Sequence, residues 1–277
     1  MKNKLIITVV VNNHVEKPYL LAEKGLSLFI KFNDQQFLFD TGTGEALLLN
    51  AANLNLDLAN IDAVVISHGH REHTGGLKNI LAFKPGKLYA HPAIFAEKFC
   101  RDSTELLFNV SCPVSKTFLE KSSTELILNK KPLQLAPGIF LSGEIPLDQK
   151  TQTSLNDIFY RFDPYGLVPD TLEDEQFLLI NSAKGWVVIT GCNHKGVPAM
   201  LKKATELAKT DQFYMLLGEL HFKETDIATI KETTSLLNNH FKYIVPLCCI
   251  GIKASCFLYK ELGKKLWPLF IGDSIEV

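Results

Sequence analysis

The 277-residue chain carries 29 Lys and Arg against 30 Asp and Glu, a formal charge of −1, and is 46% hydrophobic and 21% charged. That length suits one large layered domain or about two of about 150 residues, and the composition excludes a disordered, collagenous or coiled-coil chain. So balanced a charge lacks the basic field that DNA, RNA or an anionic membrane surface would need, which leaves a small molecule as the expected partner and self-association open. Six cysteines are too sparse for a disulfide framework and are read as reduced. No apolar stretch approaches the roughly 18 residues of a membrane span. The N-terminal apolar run also lacks a small-residue cleavage site, so a cytoplasmic protein is expected.

In chain order, β-branched and aromatic runs bounded by Gly, Asn or Asp predict strands at Leu5 to Val11, Leu26 to Phe32, Gln36 to Phe39, Ala63 to Ile66, Lys87 to Ala90 and Ile139 to Leu141. Apolar spacings of three and four predict helices at Gly44 to Ala52, Leu77 to Phe83 and Ala93 to Arg101. Strands resume at Gln176 to Ile180, Trp186 to Thr190, Phe213 to Leu217 and Tyr243 to Leu247, alternating with helices at Val197 to Lys209, Asp226 to Asn238 and Ser255 to Leu262. Two strand-rich halves, each ending in helices, predict an α/β fold of two sheets packed face to face with helices outside. The irregular stretch from Asp148 to Asp174 reads as a surface loop or lid within a single domain spanning 1–277.

Three of the eight histidines fall within six positions in IDAVVISHGHREHTGGL, just after a predicted strand. His68 and His70 are two apart and project to the same side. Glu72 and His73 are adjacent and diverge, which suits a second ion about 3.5–4 Å from the first. Imidazole and carboxylate donors concentrated at a strand end predict a metal site.

SHGHREHTGGL resembles the HxHxDH signature of the metallo-β-lactamase superfamily, and LFDTG at Leu38 to Gly42 resembles that superfamily's first motif. ITGCNHKGV, LGELHF and VPLCCIGIKA resemble the TGCSHxG, GGFHL and HCTG segments of the branch that contains dihydropterin ribofuranosyl-aminobenzene phosphate synthases. The resemblance implies a four-layer αββα sandwich with metal at the edge of its sheets. It makes His68 and His70 ligands of one ion with His194 beside them, and Glu72 and His73 ligands of a second. Asp40 becomes a carboxylate that orients a ligand histidine. Zinc is the implied metal, as one or two ions, with manganese or iron as alternatives.

Two departures from the pattern stand out. Glu72 replaces the signature Asp with a side chain one methylene longer, which leaves open whether it is ligand or general base. Cys248 stands where the branch has a ligand His, and reads either as a thiolate ligand favouring zinc or as a small buried hydrophobe. Cys192 carries the same two readings, and His221 reads as a substrate contact or a structural histidine. Lys195 would meet substrate phosphate or remain solvated, and Asp174 and Glu175 read as a solvated lead-in to a strand. The expected activity is metal-dependent hydrolysis, with a phosphoester or phosphorylated small molecule as the expected substrate. The alternatives are a dihydropterin-type transferase and a binding protein that has lost turnover.

Overall fold

The computed structural model describes residues 3–102, 104–147, 158–222 and 225–277. Its first half supplies β1 (Leu5–Val11), β2 (Ser27–Phe32), β3 (Gln35–Phe39), β4 (Ala63–Val65), β5 (Lys87–Ala90), β6 (Lys98–Arg101), β7 (Leu107–Asn109), β8 (Glu125–Leu128), β9 (Leu133–Ala136) and β10 (Ile139–Leu141). The second half supplies β11 (Phe159–Asp163), β12 (Gly166–Pro169), β13 (Phe177–Ser182), β14 (Gly185–Thr190), β15 (Phe213–Glu219), β16 (Phe241–Leu247) and β17 (Ser274–Glu276). The helices are α1 (Ala46–Asn53), α2 (Arg71–Thr74), α3 (Leu77–Leu81), α4 (Lys116–Glu120), α5 (Gly196–Ala208), α6 (Ile227–His240) and α7 (Ile252–Leu262).

The strands form a seven-stranded sheet ordered β17-β1-β2-β3-β4-β5-β8, a six-stranded sheet ordered β16-β15-β14-β13-β10-β9, and a small sheet ordered β12-β11-β6-β7. Near-continuous apolar runs such as WVVI and LIITVVV arise because both faces of the two large sheets are buried. Alternate residues divide between layers. Ile7, Ile30 and Phe39 of one sheet meet Ile180, Ile189 and Leu217 of the other in the central core. Val188, Leu216 and Ile244 face Met200, Ile230 and Leu258 of α5, α6 and α7, while Leu38 and Val64 face Leu47 and Ile80 of α1 and α3. This is the expected four-layer αββα sandwich.

One expected element is wrong. In place of a helix over Ala93 to Arg101 there is a single 3-10 turn at Pro92–Phe95 followed by β6, which pairs antiparallel with β11. Tertiary burial overrides helical spacing here, since Lys98 is 1% exposed and its ammonium sits between two carboxylates. Its Nζ donates to Asp170 at 2.5 Å and to Asp174 at 3.0 Å. Part of the stretch read as a loop is likewise regular, because Phe159–Asp163 and Gly166–Pro169 form an antiparallel hairpin. Residues 148–157 of that stretch lie outside the described residues.

The Lys98 triad joins the small sheet to the histidine loop, since the other Asp174 oxygen accepts from the Gly69 backbone N–H at 2.7 Å. Replacing Lys98 by Met would strand two buried carboxylates without a counter-charge. Chemical denaturation should therefore show a loss of about 3–5 kcal/mol; a loss below about 1 kcal/mol would contradict this account of the triad.

Candidate metal centre

In both large sheets the strands nearest the cluster run parallel: β3 beside β4, and β14 beside β15 beside β16. Their carboxyl ends therefore open on one edge, the position at which open α/β sheets bind ligands. Asp40 follows β3, Ser67 and His68 follow β4, Cys192 and His194 follow β14, Glu219 ends β15, and Cys248 follows β16. Left-handed backbone gathers at the same edge, at Asp40 (φ 59°), Asn193 (φ 62°), His221 (φ 48°) and Cys248 (φ 34°). Asp and Asn adopt that region readily, but His221 and Cys248 hold it at a cost of about 1–3 kcal/mol each, the kind of strain that collects at functional sites. The two sheets touch where Gly191 passes Ser67, and a Cβ on Gly191 would lie 2.2 Å from the Ser67 hydroxyl.

Three of the imidazoles have their Nδ1 committed elsewhere. Ser67 donates its hydroxyl proton to Asp40 Oδ2 at 2.7 Å, so at 2.9 Å from His68 Nδ1 it can only accept. His73 Nδ1 lies 2.7 Å from the same Asp40 oxygen, and His194 Nδ1 lies 2.9 Å from Glu175 Oε1. An acceptor on Nδ1 fixes the tautomer and leaves the Nε2 lone pair for a cation. His70 presents Nδ1 3.1 Å from His68 Nε2, and its buried Nε2 has no hydrogen-bond partner among the described residues. The His68 and His194 rings stand 4.9 Å apart and those of His70 and His194 5.0 Å apart.

Beyond the imidazoles lies a pole of sulfur and carboxylate. Cys192 Sγ is 3.1 Å from His73 Nε2 and 3.3 Å from Glu219 Oε2. Among the described residues, donor atoms within 4.8 Å of one another occur in three sets: His68, Cys192 and His194; His73, Cys192 and Glu219; and Glu219, Cys248 and Cys249. Sequence reasoning passed over Glu219, Cys249 and Ser67, and set Glu175 on the surface. Glu175 is in fact 2% exposed and accepts from the backbone N–H of both His194 and Lys195 as well as facing the His194 ring. A polar residue at the carboxyl end of each parallel strand was the signal available for Ser67 and Glu219.

The remaining expected residues fall as follows. Glu72 is buried, stands outside those three sets, and pairs with Lys24 Nζ at 3.0 Å. His221 joins the cluster, its ring 4.6 Å from that of His194. Lys195 turns away, because its buried ammonium donates to the Ile145 carbonyl at 2.8 Å. Phe159, from the β11 hairpin, stacks on His70 at 5.2 Å and meets His194 edge-on at 4.9 Å, forming an aromatic wall over the imidazoles.

Electrostatics divide the centre in the same way. Burial, reinforced by neighbouring imidazoles, holds His68 and His70 well below the usual histidine range. His221 is pushed down to about 3 by burial and by His194. Burial also opposes charge on His73, but the Asp40 carboxylate, with Glu219 and Glu72, outweighs it and raises His73 to about 9. The first three rings are therefore neutral donors, whereas the surroundings of His73 favour positive charge. Buried nitrogen lone pairs, thiols and a Glu219 carboxylate oxygen with no hydrogen-bond partner among the described residues match a borderline-soft divalent ion.

Comparison with known proteins agrees with this arrangement. A profile of the metallo-beta-lactamase superfamily matches residues 22–109. The chain is 31% identical over 265 residues to the 7,8-dihydropterin-6-methyl-4-(beta-D-ribofuranosyl)-aminobenzene-5'-phosphate synthase of Methanocaldococcus jannaschii, an alignment covering 92% of this chain and 90% of that protein. Among solved structures, the fold is similar to Tm1679, described as a metal-dependent hydrolase of the beta-lactamase superfamily (TM-score 0.81, 24% identity, 99% of both chains). It is also similar to zinc-bound PqqB from Methylobacterium extorquens (TM-score 0.59, 12% identity, 98% of this chain and 100% of that one). With its fold, its histidine signature and a relative matched along nearly its whole length, the chain belongs to the metallo-β-lactamase superfamily.

Proposed function

We propose that the protein is a metal-dependent hydrolase acting on a phosphoester or phosphorylated small molecule, with zinc as its metal. The observation that carries this reading is the set of buried imidazoles whose Nδ1 atoms are occupied by Ser67, Asp40 and Glu175. His68, His70 and His194 would hold one ion, and His73 and Cys192 face the place for a second. A divalent ion held by these residues would supply Lewis acidity towards the electrophile and lower the pKa of water towards about 7.

The chain's own groups do the rest. Asp40 and Glu175 fix ring orientation and make the imidazoles better donors. Burial opposes ionisation of Glu72, but Lys24 and His73 outweigh it and hold its carboxyl below the usual range, so it stays ionised beside Lys24. Lys24, rather than Lys195, is the cation beside the cluster, and its exposed ammonium suits a substrate phosphate. The Phe159 hairpin serves as a lid that keeps water from the imidazole side.

A second reading, a synthase, is favoured by the name of the 31% identical relative, which describes a compound carrying a 5'-phosphate. Zinc-loaded protein should cleave model phosphodiesters or phosphomonoesters, and His68→Ala should abolish that turnover. Joining of two substrates without hydrolysis would select the synthase, and tight metal binding with neither reaction would select a binding protein.

Asp40→Asn would remove an acceptor shared by His73 and Ser67. Zinc affinity should fall about 10–100-fold, measured by competition with a chromophoric chelator, with the fold retained by circular dichroism. Unchanged affinity would remove Asp40 from its orienting role.

A further inference from the structure

We infer that the outward face of the small sheet docks a second copy of this chain, packed face to face around a two-fold axis that sets Arg101 of each copy against Glu97 of the other. Alternation along the four strands divides their side chains between two faces. Lys98 and Phe159 turn inward, one to its two aspartates and the other onto the imidazoles. Phe99 of β6, Leu107 of β7, Tyr160 and Phe162 of β11, and Leu167 and Pro169 of β12 stand on the opposite face. They form one continuous surface. Phe162 is the register partner of Leu167, and its ring lies 5.6 Å from that of Phe99, which in turn opposes Tyr160.

This face is open and large. Phe162 is 50% exposed, Leu107 42% and Leu167 39%, and Tyr165 at the tip of the β11–β12 hairpin is 96% exposed. With about 150–250 Å² for a whole aromatic side chain, such fractions leave on the order of 500 Å² of apolar surface. That stands near the upper end of the roughly 300–600 Å² of the largest patch on a typical monomer. A standard interface buries about 800 Å² per partner around an apolar centre with a polar rim. Glu97, Arg101 and Asn109 supply such a rim and bring the face to about that size.

The charge pattern points to the chain itself as occupant. Among the outward residues of the four strands Arg101 is the one charged side chain, and its guanidinium lies 4.6 Å over the Tyr160 ring and pairs with Glu105 at 3.4 Å. A single cation already so engaged, on a chain of formal charge −1, offers no field for a polyanion. Exposed Glu97, just before β6, and Arg101, at its end, flank Phe99 on the same face. A two-fold axis lying in the interface and crossing β6 near Phe99 reverses the strand over itself. Each Arg101 then meets Glu97 of the other copy while the aromatic residues fill the centre, as an isologous contact requires. Because β11 carries Phe159 on its inner side, the same contact would brace the aromatic wall over the imidazoles.

The test is the solution mass of the full chain by light scattering across a dilution series, with side-chain footprinting of the same samples. Wild type should show twice the mass of one chain, with Tyr160, Phe162 and Leu167 protected, and both features should be lost on dilution. Phe162→Glu/Leu167→Lys should halve the mass with circular dichroism unchanged, whereas Leu49→Lys, at an exposed apolar residue of α1, should leave the mass as it is. Glu97→Arg and Arg101→Glu should each weaken association several-fold, and the double exchange should restore it. A wild-type monomer would overturn the inference, whether the face stays open, stays protected at every dilution by the chain's own residues, or binds phosphatidylcholine vesicles. A dimer that survives Phe162→Glu/Leu167→Lys would place the interface elsewhere and overturn it too, and failure of the double exchange would overturn this seating of the two copies.

Discussion

The Asp40 carboxylate is the contact on which the centre depends. It is fully buried, and one oxygen receives both the His73 ring and the Ser67 hydroxyl while the other receives the Ser67 backbone N–H. Through Ser67 it also sets the His68 ring, so one carboxylate orients imidazoles on both sides of the signature loop. The geometry leaves little tolerance, because Gly191 of the facing sheet packs directly on Ser67. A charged group this deep is stable only while fully hydrogen-bonded, which links the integrity of the site to that of the sandwich.

The layered fold explains why so many donors reach one place. Parallel pairing in each large sheet aligns carboxyl ends, and the face-to-face packing brings the two edges together. The loops leaving those ends need to travel only two or three residues to present a side chain. A second carboxylate, Glu175, performs for His194 what Asp40 performs for His73, and a third, Asp174, anchors Gly69 between His68 and His70. The small sheet is thus bound to the site through Lys98 and Phe159, one by charge and the other by ring contact.

Much of this was legible in the residues themselves. The apolar runs mark the strands because sheets buried on both faces admit few polar residues, and the histidine cluster announces itself by density alone. Asp40 was legible as an orienting carboxylate through the resemblance of LFDTG, at Leu38 to Gly42, to the superfamily's first motif. The small sheet was not, because its strands are three to five residues long and carry charged side chains such as Lys98, whose partners lie more than seventy positions away. Glu175 was misplaced for a related reason: an acidic run looks solvated until a distant backbone, here His194 and Lys195, arrives to donate to it. Glu219 and Cys249 escaped because each follows an apolar strand without local periodicity, and only the parallel register carries them to the same edge.

The central claim is that imidazoles fixed through their Nδ1 atoms present a preformed cation site at the sheet edge. Anomalous diffraction from crystals of the zinc-loaded protein at the zinc absorption edge tests it most directly. The account predicts a peak within about 2.0–2.1 Å of Nε2 of both His68 and His194 and of a ring nitrogen of His70, with Asp40 and Glu175 still on Nδ1. The absence of a peak at these rings, or zinc coordinated through the Nδ1 atoms of His68 and His194, would contradict it.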